Sequence, residues 1–153
     1  MANQRIVLGS VIEIFLGDEL YSYAQVVSKA ELVFFDYFGN QIPKNLIESV
    51  CRKTPLFFIS VMHSAIKSGR WKIVGRCEIS QALRSPREYF IQDVLTKKFS
   101  IYTSGDGSIR PAERSEIEGL ECAAVWEPEH VEDRLRDFRA GKPNVWVEQL
   151  KPT

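Results

Sequence analysis

The sequence predicts an α+β fold, on three observations. Short runs rich in β-branched and aromatic residues dominate the first half. One strongly patterned helix stands near the C-terminus. Pro and Gly punctuate the chain without forming a linker or an internal repeat. The 153 residues suit one domain spanning 1–153. At that length folding buries roughly 70% of the surface an unfolded chain exposes, so a core forms without staples.

The first forty residues read as a β-meander. Val11 to Leu16 is the first strand, and Gly17-Asp18-Glu19 is its turn. Tyr21, Tyr23, Gln25 and Val27 alternate with Ser22, Ala24, Val26 and Ser28 in the second. Glu31 to Phe38 is the third, ended by Gly39-Asn40. Three short strands with tight turns predict a curled, SH3-like antiparallel sheet, because curling hides exposed edges. Further strands extend it.

A first main helix is predicted over about 43–53. Pro43 suits a first helical position, where its missing N–H has no helical partner to lose. Leu46, Ile47 and Val50 share a face, Arg52 and Lys53 complement the negative end of the dipole, and Thr54-Pro55 ends the helix. Leu56 to Met62 reads as a central strand buried on both faces. Ser64 to Gly69 reads as a helical turn capped by Ser64, and Trp71 to Val74 as a strand. Tyr89-Phe90-Ile91 and Phe99 to Tyr102 favour strands around a turn at 94–98, and 104–108 is a loop.

The second main helix is predicted over 127–140. Pro128 occupies its first turn, and Val131, Leu135 and Phe138 form an apolar stripe. Acids sit early and Arg134, Arg136 and Arg139 late, matching the dipole, with Glu132 and Arg136 as an i,i+4 pair. Gly141 and Pro143 terminate it, and Val145-Trp146-Val147 reads as a last short strand.

Composition excludes several functions. Apolar residues make up 44% and charged residues 26%, which argues against disorder. Twenty basic residues balance twenty acidic ones, so no global field attracts nucleic acid or an anionic membrane. Cys51, Cys77 and Cys122 are an odd, widely spaced set without a CxxC pair, and read as free core thiols in a reducing compartment. The N-terminus lacks the pattern of a secretory signal, and no apolar run approaches the ~20 residues of a membrane span. A cytoplasmic protein is expected.

Few residues suggest chemistry. His63 and His130 are the only histidines, without HxH or HExxH spacing, so neither a metal site nor a cofactor is expected. No GxSxG elbow, P-loop or dinucleotide fingerprint occurs, and no catalytic residue is assigned. Trp71, Trp126 and Trp146 read as core. The basic stretch Lys67, Arg70, Lys72, Arg76, Arg84 and Arg87 around Trp71, and Tyr21, Tyr23 and Phe35, are alternative stacking platforms for single-stranded nucleic acid.

Charge placement says more. Residues 112–133 hold eight acids and one base, whereas residues 1–111 hold fourteen bases and ten acids. Half of those acids suit a solvated helix start. The rest, Glu113, Glu116, Glu118 and Glu121, with Asp106 on the neighbouring loop, are candidates for contacting a basic partner.

Three blocks carry a family resemblance. Gly9 to Val26 holds an apolar strand, a polar turn and Tyr21-Ser22-Tyr23-Ala24-Gln25-Val26. Leu56 to Val61 is followed by Ala65 to Gly75, containing Gly69-Arg70-Trp71-Lys72-Ile73-Val74-Gly75. Gly119 to Trp126 precedes Val131 to Leu135 and Gly141-Lys142-Pro143-Asn144-Val145-Trp146. Together they resemble the immunity protein 26 family of bacterial polymorphic toxin systems. The resemblance does not extend to residues 78–110. It implies a small cytoplasmic protein that binds and neutralises a cognate toxin domain, often a nuclease, and the leading expectation is a non-enzymatic binding protein. Some relatives carry a phosphotriesterase-like label, so the resemblance also implies an alternative hydrolase activity. The oligomeric state stays open.

Overall fold

The structure, a computed structural model, describes residues 4–153 apart from the side chain of Ile47. It is α+β, as the sequence predicts, with ten strands in two sheets. The first sheet contains β1 (Ser10–Gly17), β2 (Leu20–Val26), β3 (Leu32–Phe35), β4 (Pro55–Val61), β5 (Lys72–Arg76) and β10 (Val125–Trp126), in the order β10-β4-β3-β2-β1-β5. The second contains β6 (Glu88–Gln92), β7 (Phe99–Thr103), β8 (Ile109–Ala112) and β9 (Glu121–Cys122), in the order β8-β7-β6-β9. The helices are α1 (Ser64–Lys67), α2 (Pro128–Ala140) and α3 (Val145–Gln149). Among the described residues no helix is long and apolar enough to cross a membrane.

The meander forms where the sequence places it. Gly17 pairs with Leu20, so Asp18 and Glu19 alone make the β1–β2 turn. Both take positive φ, 49° and 59°, the twist a two-residue hairpin turn requires. Period-two alternation then sends side chains to opposite faces. Ile12, Ile14, Ala24, Val26 and Phe34 build one core with Trp71, Trp126, Val131 and Leu135. Val11, Tyr23, Val33 and Phe35 build another with Val50, Cys77 and Leu83. Each large side chain buried this way contributes about 1.5–3 kcal/mol.

Helix α2 covers the first core. Val131 and Leu135 are fully buried, and Gly141 closes the helix in the left-handed region at φ 69°. Phe138, the third member of the stripe, is half exposed and stacks on Phe38. The expected Glu132–Arg136 pair does not form. Glu132 instead accepts hydrogen bonds from Arg70 and from the Trp71 indole, and Arg136 pairs with Asp133 at 2.7 Å.

Other elements differ from the sequence reading. The helix over 43–53 shrinks to one wide turn, Ile47–Cys51. A short isolated helix is marginal, and here Val50 is the one fully buried side chain among the described residues to hold it. The Ile47 side chain, expected on that face, lies outside the described residues. Strand β4 is second from one end of its sheet and only half-buried on its outer face, where the Arg87 guanidinium lies 4.1 Å from the Phe58 ring. Ser64 does not cap α1; that position falls on His63, without a side-chain bond. The strand expected at 145–147 is the helix α3. Asn144 accepts from the Val147 amide at 3.0 Å, and this cap outweighs the β-preference of Val-Trp-Val.

The second sheet has a small core of its own, Phe90, Ile101 and Ile117. Among the contacts that join it to the first, two bear on the site. The segment 121–126 is β9 at one end, parallel to β6, and β10 at the other, parallel to β4. Glu31, just before β3, accepts from Arg87 Nε at 3.0 Å, from Ser28 Oγ and from the Tyr89 hydroxyl, both Arg87 and Tyr89 lying at the start of the second sheet.

Candidate binding site

The acidic segment forms an ordered loop after β8. Glu113 and Glu116 cap one another across a single 3₁₀ turn, Glu116 Oε2 accepting from the Glu113 amide at 2.7 Å. Glu116 also pairs with Arg110 at 3.0 Å. The Glu113 amide and then Arg110 hold the Glu116 carboxyl below its usual range. Ile117, buried, pins the loop to the core beneath it. Glu118 is exposed and has no ion pair among the described residues.

Glu121 sits differently. Both its oxygens accept from Arg134 at 2.8 Å, and that guanidinium lies 3.7 Å from the Phe57 ring. It fastens α2 to the segment between the sheets. Asp106 is exposed at the tip of the β7–β8 hairpin, accepting from the Ser108 amide at 2.9 Å. Ala112 pairs with Phe99 and Ile109 with Tyr102, so Glu113 and Asp106 stand at opposite ends of the ladder. The strand between them spans roughly 13 Å. The fold therefore brings Glu113, Glu116 and Glu118 together and leaves Asp106 apart.

Distant cations neutralise much of the acidic run. Arg70 pairs with Glu129 and Glu132, Arg110 with Glu116, and Arg134 with Glu121. Arg70, Arg110 and Arg134 all lie outside residues 112–133, where counting within the run does not see them.

Beside the loop lies a cleft of about 360 Å³, walled by Ile117, Leu120, Trp126, Val147 and Leu150, with Arg114 and Lys151 at its lining. The buried Trp126 Nε1 is the one enclosed side-chain donor or acceptor without a partner among the described residues. A larger groove of about 610 Å³ runs along the seam of the sheets past Glu31, Tyr89 and Tyr102.

Most of the stacking faces expected for nucleic acid are closed. Tyr23, Phe35 and Trp71 are fully buried and offer no face to a base, Tyr21 is half-buried against Phe15, and Arg70 is held by Glu132, while Lys67, Lys72, Arg76 and Arg84 are exposed. His130 stacks on Trp146 at 3.5 Å and His63 is exposed. No three His, Cys, Asp or Glu side chains converge as metal ligands among the described residues. Cys51 and Cys77, separate in sequence, meet at 3.1 Å between sulfurs.

The family model of immunity protein 26 matches residues 7–101. The chain belongs to the immunity protein 26 family. It is therefore an immunity protein of a toxin system, with a toxin protein as its partner. Immunity protein families are generally non-enzymatic. The matched span covers β1 to β6 and most of β7. It includes residues 78–101, which the resemblance had left out. The third block of that resemblance, and the acidic loop, lie beyond it. Comparison with curated proteins and with solved structures returns no match.

Sequence reasoning missed the Glu31–Arg87–Tyr89 cluster and the cleft. Neither leaves a local signal, because their members are brought together only by the packing of the two sheets.

Proposed function

We propose that this immunity protein works in the cytoplasm by occlusion, its acidic loop covering a basic, phosphate-binding groove of a nuclease toxin. The observation that carries the proposal is the reciprocal Glu113–Glu116 cap beside the unpaired Glu118. Carboxylates fixed before encounter cost less ordering on binding and steer a basic partner over long range. Glu113 and Glu118 supply the charge that faces the toxin. Glu116 holds the loop, and Glu121 sets the segment behind it. Asp106 adds a contact for a partner wide enough to reach the hairpin tip, which an interface of about 800 Å² per side allows.

The test is stopped-flow association with the nuclease domain encoded beside the gene, together with inhibition of that domain's cleavage of nucleic acid. Glu118→Lys should slow association several-fold and flatten its salt dependence while leaving the melting temperature alone. Glu116→Lys should slow association and also lower stability, since it breaks the cap. Unchanged association rates in both variants across a salt series sink the acidic loop as the steering element.

A further inference from the structure

The β6–β7 turn presents the two most exposed large apolar side chains described in the molecule. Leu95 is 91% and Val94 81% exposed. Apolar residues scattered singly over a surface need no explanation, whereas an adjacent pair standing clear of the fold does. The turn is not a loose tip. Asp93 Oδ1 accepts from the Leu95 amide at 2.9 Å and the Thr96 amide at 2.8 Å. The Lys97 amide donates to the Asp93 carbonyl and the Asp93 amide to the Lys98 carbonyl, each at 2.9 Å. Gln92 Nε2 donates to the Lys97 carbonyl at 3.2 Å. The pair is thus held out on a turn whose backbone is already ordered.

The surroundings are charged on both sides. Lys97 and Lys98 are exposed and have no ion pair among the described residues. Because Phe99 pairs with Ala112, the acidic loop begins beside the same end of the sheet. An apolar knob is therefore flanked by free cations and, next to them, by the acidic loop that carries Glu118, which has no ion pair among the described residues.

We infer that Val94 and Leu95 are the apolar anchor of the toxin interface, inserting into an apolar depression on the toxin domain. Carboxylates of the toxin would face Lys97 and Lys98, and its basic groove would face the acidic loop. This rests on the immunity reading above. An ordered knob filling a pocket is the arrangement in which a few residues carry most of the binding energy at little entropic cost. A second copy is a poor occupant. A two-fold contact through this turn would set Lys97 and Lys98 against the same lysines of its mate, a like-charge juxtaposition.

The experiment is isothermal titration of the purified chain with the purified toxin domain encoded beside its gene, with light scattering of the chain alone. The double variant Val94→Ser/Leu95→Ser is compared with Val125→Ser, an exposed apolar control that is 64% exposed at the seam of the sheets. The double variant should bind at least thirty-fold more weakly, through a faster off-rate, and Val125→Ser within twofold of wild type. Affinity of the double variant within threefold of wild type overturns the anchor and leaves the immunity reading standing. No binding by wild type at micromolar concentration overturns both. A wild-type dimer that the double variant dissolves assigns the turn to a second copy, which also overturns the proposal. Hydrogen exchange on the wild-type complex covers a variant that folds poorly. Amides of residues 93–98 should gain protection, and unchanged exchange there counts against the anchor.

Discussion

Arg87 Nε lies 3.0 Å from Glu31 Oε2, joining two sheets whose strands are otherwise separately paired. Glu31 is almost fully enclosed, and the same guanidinium covers the Phe58 ring. Such a pair is expensive to break from one side, because the survivor stays buried without its counter-charge. Arg87→Leu is expected to cost about 3–5 kcal/mol in urea denaturation.

The same pair sets an acid limb of stability. Burial alone would raise the Glu31 carboxyl, but hydrogen bonds from Tyr89 and Arg87, with the Arg87 charge, outweigh it and hold the group below 4.5. A carboxyl depressed in the folded state stabilises fully above its unfolded value. That stability is lost as pH falls below about 4.5 and through the folded value. Urea midpoints should therefore drop on acidification, and Glu31→Gln should show a shallower drop. Parallel curves for the two proteins would remove Glu31 from the account.

Two buried tryptophans should respond differently to the same substitution. Trp71 Nε1 donates to Glu132 at 2.8 Å, whereas Trp126 Nε1 has no partner among the described residues. Both changes to Phe lose similar volume, but only Trp71→Phe also removes a donor from a buried carboxylate. It should be the more destabilising by about 1–3 kcal/mol, measured by chemical denaturation. Equal losses would mean that the Trp71 bond adds nothing net.

The position before β1 tolerates only glycine. Gly9 has φ +86°, and an added Cβ would lie 2.6 Å from the Cys77 carbonyl oxygen. Gly107 has φ +72° and open space around it. Gly107→Ala should cost about 1–2 kcal/mol of backbone strain, and Gly9→Ala clearly more in thermal melts, because main chain must also move.

The paired thiols should be sluggish. Burial, then the Cys77 thiol, pushes Cys51 up to about 12, and burial followed by Glu121 raises Cys122. The thiolate is the reactive form, so it stays scarce at Cys51 and Cys122 at neutral pH, and burial shields Cys77 from reagent. A chromogenic disulfide reagent at about pH 8 should find no fast thiol in the native protein and all three in urea. One fast equivalent in the native protein would contradict this.

What the sequence could reveal followed the range of the forces involved. Strands β1 to β3 and helix α2 were legible because alternation, a dipole-matched charge order and Gly141 act within a few residues. The helix at 145–149 was hidden because one capping side chain, Asn144, overrides the preferences of its neighbours. The family blocks exposed the partner class, and the acidic segment was visible in composition. Its real free charge was not, since Arg70, Arg110 and Arg134 are delivered to it by folding. Val94-Leu95 does leave a local trace, an apolar pair inside the polar run from Gln92 to Lys98, which strand counting passed over.

Six residues, 121–126, serve as a strand in each sheet, in parallel pairing at both ends. Load applied to the second sheet would reach the first as tension along this strap, resisted in shear by the two ladders. A single cut between Ala123 and Ala124 would release that tension member. The sheets would then stay joined through residues 77–87, the clasp of Glu31 on Arg87 and Tyr89, and the pair of Glu121 with Arg134.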